Sequence, residues 1–392
     1  MKVTLRQQIT QFAHVLQTGL FPALNEELGE LTEPAKRLVA TLEMIPLARF
    51  VPCSRGWMGR PSKDRLAIAS AFVAKAVYGF NTTRRLLDAL AGDAQLRRIC
   101  GWREARQVPH EATFSRAFEE FAHMELPQFV HETLIRETQH DRLIGHIARD
   151  STAIEARERF PETPSQKAQR REASEPRKRG PKPGRRGPQK RWKGGKPRPA
   201  HLTGTRLHRQ REMSLPAMLA ELPKDCSIGV KKSSQGHRQY WRGYKLHLDV
   251  ADGQIPISAV LTGASLHDSQ VAIPLLTMST QRVSYCYDLM DSAYDAQHIK
   301  EHSRDLGHVP IVDPNQRGGL AEETFLPVAR ELSWAEADRY KERTMVERVN
   351  ARLKDEFGGR YVRVRGAAKV MTHLMFGVLA LTADQLLRLG AT

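Results

Sequence analysis

Three carboxylates of this chain stand where predicted elements end or face inward, a placement that suits them to hold a cation. Asp150 closes the alternating apolar run LIGHIARD and precedes two hydroxyl residues, Ser151 and Thr152. Asp291 closes VSYCYDLMD, the fourth predicted strand, and Glu347 lies in YKERTMVERVNARLK, from Tyr340 to Lys354. A rigid sheet fixes the direction of a carboxylate at a strand's end. Three such groups, if they converge, would bind one or two hard divalent cations, with water and phosphate oxygens completing the octahedra. Oxygen donors without clustered thiols select magnesium or manganese. Two such ions can activate a water or a 3′-hydroxyl on one side of a phosphodiester and stabilise the leaving oxygen on the other. The competing reading of Asp150 is a surface carboxylate that caps the next turn. Asp288 rivals Asp291, Asp268 in HDS reads as a helix N-cap, and His247 and His267 read as structural or DNA-contacting residues.

The element that must carry Glu347 is predicted to be one long helix. At roughly 100° per residue, Tyr340, Arg343, Glu347 and Lys354 fall within an arc of roughly 60°. Val346, Val349, Leu353 and Phe357 occupy the opposite side, the pattern of a helix packed on a core. Taken alone, the polar stripe reads first as an ordinary solvated face.

The whole chain favours a polyanionic partner. Its 392 residues carry 61 Lys+Arg against 44 Asp+Glu, a formal charge of +17, and its pI is near 9.9. That balance points to nucleic acid through counterion release. A hydrophobic content of 40% is that of a globular protein. No uninterrupted apolar run approaches the roughly 20 residues that span a bilayer. The opening residues, MKVTLRQQITQFAH, lack a signal peptide's apolar core, so the expected location is the cytoplasm, on the nucleoid when bound. The four cysteines are scattered, with no C-x-x-C pair, and predict free thiols.

Residues 1–135 read as a helical N-terminal domain. It serves either as a helix-turn-helix-like DNA-binding module, with Arg84, Arg85, Arg97, Arg98 and Arg116 on phosphates, or as a scaffold or dimer interface. Residues 140–392 read as strand, hairpin, helix, strand, helix, strand, helix, an α/β domain whose mixed sheet is flanked by helices. A last apolar helix, about Ala367 to Leu389, would close the core. The hairpin turn is placed at Asp252 and Gly253. Residues 157–235 read as a basic, flexible insertion, because a segment so poor in apolar residues cannot offset its ordering entropy. Within it Arg177, Lys178, Arg179, Arg185, Arg186, Lys190, Arg191 and Trp192 suit nonspecific contact with DNA, by charge and by stacking. It would track the DNA backbone or a partner subunit; a solubilising linker is the plainer reading.

The motifs in this order resemble the DDE transposases of bacterial insertion sequences. Tyr340, Arg343, Glu347 and Lys354 match at every spacing the Y-(2)-R-(3)-E-(6)-K signature of one large group of these enzymes. The resemblance extends through RDST at Asp150, WRGYKLHLD at 241–249, LTGASLHDSQ at 261–270 and MDSAYDA at Asp291, and covers roughly 140–390. GRPSKDRLAIASAFVAKAVYGFNT and VPHEATFSRAF resemble the helical domain that commonly precedes it. Arg149 stands where the family usually has a small or apolar residue, and Ser292-Ala293 where Lys-Gly is more usual. The resemblance implies a ribonuclease-H-like fold, with Asp150, Asp291 and Glu347 as catalytic metal ligands for Mg2+ or Mn2+, two ions in all. It implies that Tyr340, Arg343 and Lys354 position phosphate and transposon-end DNA. The activity implied is metal-dependent cleavage at transposon ends and strand transfer into target DNA, by a homodimer or higher oligomer on double-stranded DNA. A catalytically silent DNA-binding regulator and a nuclease without strand transfer are the alternatives.

Overall fold

The computed structural model describes residues 4–51, 63–158, 205–232, 237–314 and 332–391. Its N-terminal part is helical: α1 Leu5–Val15, α2 Phe21–Leu28, α3 Glu33–Met44, α4 Arg65–Val77, α5 Thr83–Gly92, α6 Ala94–Ile99, α7 Glu111–His123 and α8 Leu126–Gln139. Side-chain oxygens fix several starts. Thr32, Asp64, Thr82 and Asp93 accept from backbone N–H groups in the first turns of α3, α4, α5 and α6. Helix α4 is buried from Ala67 to Val77 except at Ser70, its alanines allowing close approach of neighbouring helices. Not all the arginines expected on phosphates are free. Arg97 donates to the Leu90 and Ala91 carbonyls at 2.9 and 3.1 Å, closing the end of α5. Arg98 donates to the Glu27 carbonyl at 3.3 Å, while Arg84 and Arg85 lie exposed.

The sheet has six strands: β1 Leu143–Glu155, β2 Ser227–Lys232, β3 Arg238–Ala251, β4 Ile255–Gly263, β5 Ser284–Met290 and β6 Val309–Val312. β1 pairs antiparallel with β3 and parallel with β5, and β5 pairs parallel with β6. β3 pairs with β2 along its first half and with β4 along its second. Gly243 is the residue at that change of partner, opposite both Glu155 and Ser227, with φ +153°. A Cβ there would collide with the Ile154 carbonyl oxygen. Gly243→Ala is therefore expected to cost about 2 kcal/mol or more in urea unfolding; a loss under about 0.5 kcal/mol would contradict this account.

Three expectations about these elements change. β1 does not end on Asp150 but runs on to Glu155, because Thr152 and Ile154 keep the alternation and β3 pairs with it from Ile147 to Glu155; Asp150 thus does not cap a turn. The insertion read as flexible over 157–235 is ordered from 205 to 232. There α9 (Arg206–Gln210), α10 (Leu215–Glu221) and β2 form because Leu207, Met218 and Leu222 bury against neighbours. The segment from Tyr340 to Lys354 is not one helix.

Helices α11 (Ser269–Thr280) and α12 (Gln297–Asp305) flank the sheet. After them, α13 (Trp334–Tyr340) gives way to a 3-10 turn, Lys341–Arg343, and then to α14 (Thr344–Asp355). Three residues at about 120° instead of about 100° rotate Tyr340 roughly 60° off the stripe of Glu347. The apolar side keeps its place, with Val346, Val349, Leu353 and Phe357 buried. The last helix, α15 (Ala367–Ala391), is long and apolar enough to cross a membrane, but it is mostly buried inside the protein. It packs on α1, α4, α7, α8 and β4, so one hydrophobic cluster runs from the N-terminal helices into the sheet.

Candidate active site

The β1–β5 register brings Asp150 and Asp291 side by side. Arg149 is paired with Met290 across the parallel ladder, so the next residue on each strand is one of the two aspartates. Neighbouring strands lie about 4.8 Å apart, and successive side chains alternate between faces. The two carboxylates therefore share one side and the Arg149 and Met290 side chains the other. Asp291 also accepts from the Ala293 N–H at 3.0 Å, which fixes its rotamer at the start of a 3-10 turn. Burial pushes the Asp150 carboxyl up to about 6, and the Asp291 charge adds to that rise. The Asp291 carboxyl is likewise raised, chiefly by burial. Neither makes an ion pair among the described residues.

Glu347 is placed differently. It is half exposed, and Arg343 Nη2 donates to its Oε1 at 2.6 Å. The Arg343 guanidinium also feels both Asp150 and Asp291, and its own pKa is raised despite burial. It lies 5.7 Å from the centre of the Tyr340 ring. Arg343 is thus the cation between the aspartate pair and Glu347. Among the described residues no three carboxylate, imidazole or thiolate groups stand close enough to share one ion. The aspartates come together; Glu347 is held by arginine. Lys354 lies farther along, near Glu155, Lys231 and Arg360, and burial among those cations lowers its pKa.

Residues that the sequence left in other roles enter the site. Asp268 stands at the N-cap position of α11 but makes no cap hydrogen bond. Instead it accepts from Lys245 Nζ at 2.9 Å and from the Ser151 hydroxyl, and its pKa is lowered against the effect of burial by His247 and Lys245. The Ser269 N–H is taken by His267 Nδ1 at 3.4 Å. An ammonium two strands away outcompetes the helix end for that carboxylate. His247 is fully buried, bonded to Thr262 Oγ1 at 2.9 Å and pushed down to about 4 by burial, which makes it structural. Tyr294, also fully buried, has a hydroxyl without a hydrogen-bond partner and feels Asp268, Asp150 and Asp291. The only sequence signal for it is its place in MDSAYDA.

Arg149, unusual before the first aspartate, has a structural role on the opposite face. It is fully buried, donates to Asp249 at 2.7 Å and lies 3.6 Å from Asp288. Ser279 donates to Asp249 at 2.6 Å, and Ser303 and Tyr285 donate to Asp288 at 2.6 and 3.1 Å. Asp288 thus belongs to an internal polar network and is turned away from Asp291.

Arg177, Lys178, Arg179, Arg185, Arg186, Lys190, Arg191 and Trp192 lie outside the described residues. The oxygen-only donors, and the mutual destabilisation of Asp150 and Asp291, fit a hard divalent cation.

Comparison with known families gives two matches. The Transposase DDE domain matches residues 141–383, and the Transposase domain (DUF772) matches residues 26–120. The mixed sheet with flanking helices, behind a helical N-terminal region, is consistent with the ribonuclease-H-like DDE domain. No curated protein and no solved structure matches the chain.

Proposed function

The chain belongs to the DDE transposase family, and from that membership we propose that it cleaves DNA at transposon ends and joins the freed 3′-hydroxyl to a target phosphodiester, displacing the target strand's own 3′-oxygen. The observation that carries the reading is the register that sets Asp150 beside Asp291, where burial and the Asp291 charge hold the Asp150 carboxyl up. Asp150, Asp291 and Glu347 would hold one or two Mg2+ or Mn2+ ions. Bound there, the ions would activate the attacking oxygen and neutralise the leaving one.

The protein's own groups divide the remaining work. The sheet orients Asp150 through the ladder, and the Ala293 N–H orients Asp291. Arg343, bonded to Glu347, would exchange that partner for a DNA phosphate when the carboxylate turns toward a cation. Tyr340 would steady Arg343 through its ring face. Lys354 lies about 10 Å along the helix from Glu347 and would grip a neighbouring phosphate, not the scissile one. Paired ends require at least a homodimer, with residues 1–135 as the unit preceding the catalytic one.

A reaction of the full chain with labelled transposon-end duplex, target plasmid and Mg2+ tests this. Joined product is expected, and Glu347→Ala should abolish joining and cleavage together while end binding stays within about threefold. Cleavage without joining would identify a nuclease instead, and binding without cleavage a silent regulator.

A further inference from the structure

Away from the carboxylates, a cleft of about 390 Å³ opens between α4, the end of β1 and the start of α15. Lys75, Arg157, Arg363, Arg365, Lys369 and His373 line it, and among the described residues no carboxylate does. Lys75 forms the floor. Its side chain is nine-tenths buried, and its Nζ lies 3.4 Å from His373 Nδ1. His373 Nε2 donates to the Gly358 carbonyl at 3.1 Å, so Nδ1 is left as an acceptor for the ammonium. Burial beside Lys75 pushes His373 down to about 3, keeping it neutral. Burial pulls Lys75 down to about 8, and among the described residues no carboxylate counters it.

A buried ammonium without a counter-ion is costly, and it is stabilised by an anion reaching it. The rim is built to admit one. Lys369 pairs with Glu119 at 2.7 Å, but among the described residues Arg157, Arg363 and Arg365 make no ion pair. The nearest acid in sequence, Glu158, accepts at Oε1 from the Tyr244 hydroxyl at 2.7 Å and from the Gly366 N–H at 2.8 Å. Those two bonds tie the end of β1 to the residue before α15, and so hold Arg157 and Arg365 on one rim.

The place of the cleft selects the ligand. Asp150 and Glu155 are five residues apart on β1, roughly 16 Å. That corresponds to about five base pairs of duplex, at one phosphate per 3.4 Å on each strand. Lys354 and Lys231 lie near Glu155, at the end of β1 that leads to Arg157, and Arg360 beside them is paired with Asp355. Lys354 and Lys231 thus stand at the end of β1 from which Arg157 continues to the cleft.

From this arrangement we infer that the cleft seats a backbone phosphate of the DNA duplex, with Lys75 beneath it and Arg157, Arg363 and Arg365 around it, several base pairs from the carboxylates. This rests on the reading of the chain as a DNA-processing enzyme, but its test does not depend on cleavage.

The test is anisotropy of a labelled duplex of arbitrary sequence with the full chain, in EDTA, over a range of salt. Arg363→Ala with Arg365→Ala should weaken binding at least about tenfold at low salt. It should also reduce the slope of log K against log salt by about 1.8, at about 0.9 per lost phosphate contact. Arg49→Ala with Arg106→Ala removes the same charge from residues paired with Glu137 and Glu104, and should leave the slope unchanged. Lys75→Met, with its folding confirmed by its melting curve, should weaken binding as well. An unchanged slope in the Arg363/Arg365 variant overturns the proposal, whatever the cleavage assay gives. So does a melting temperature raised by inorganic phosphate in wild type but not in Lys75→Met, if that slope is unchanged: the cleft would then be a free-phosphate site.

Discussion

Asp150→Asn is expected to abolish end cleavage, by at least about three orders of magnitude, and at the same time to make the metal-free protein harder to unfold at pH 7.5. The two effects have one cause. In the fold the Asp150 carboxyl is held up to about 6 by burial and by the Asp291 charge. An unfolded chain returns it to about 3.9. A carboxyl raised by folding favours the native state only while protonated, so its cost is absent below about pH 4 and complete above about pH 6. The shift corresponds to about 3 kcal/mol at most, less with partial solvent access. Urea unfolding in EDTA should therefore give a variant more stable than wild type at pH 7.5, with the difference gone near pH 4. Added Mg2+ should raise the stability of wild type more than that of Asp150→Asn, because binding to the native state stabilises it by mass action. Equal or lower stability of the variant at pH 7.5, or retained cleavage, would sink the assignment of Asp150.

The second large effect is expected at Arg149, one residue away and on the other face. Arg149→Met removes the guanidinium that lies within reach of both Asp249 and Asp288, each fully buried. Breaking a buried pair from one side costs about 3–5 kcal/mol, since the remaining charge is left uncompensated. The Asp288 carboxyl is already raised by burial, with Arg149 the main opposing influence. Losing Arg149 would raise it further, so the deficit should grow as pH rises through the carboxylate range and shrink toward pH 4. Asp249→Asn and Asp288→Asn in the same chain should restore part of the loss. Denaturant curves across pH provide the measurement, and a deficit below about 1 kcal/mol at pH 7.5 would show that the network does not depend on this arginine.

The contrast between these neighbours shows how far sequence could go. Alternating apolar residues located the strand holding both, and the family resemblance singled out Asp150. Nothing in ARDST says that Arg149 is buried, because a guanidinium inside a sheet is tolerated only when distant carboxylates meet it. Those partners, Asp249 and Asp288, are 100 and 139 positions away in the chain. Asp268 misled for a similar reason. A local rule makes it an N-cap, but Lys245 reaches it from β3. The 205–232 segment failed on composition, since a few apolar residues sufficed once the sheet offered a surface to cover.

The sequence by itself determined the elements whose information is local. These are the helical N-terminal part, the strands of the hairpin at Asp252 and Gly253, the apolar face of Val346, Val349, Leu353 and Phe357, and the identity of the three carboxylates proposed for catalysis. Tertiary structure alone decided what depends on register and long-range contact. It brought Asp150 beside Asp291 through the parallel β1–β5 ladder, broke the Tyr340–Lys354 segment with a 3-10 turn, and gave Glu347 to Arg343. Periodicity records which side of an element is apolar; only pairing of strands distant in sequence fixes which polar groups on the other side must share a space, and so repel, pair or await a cation.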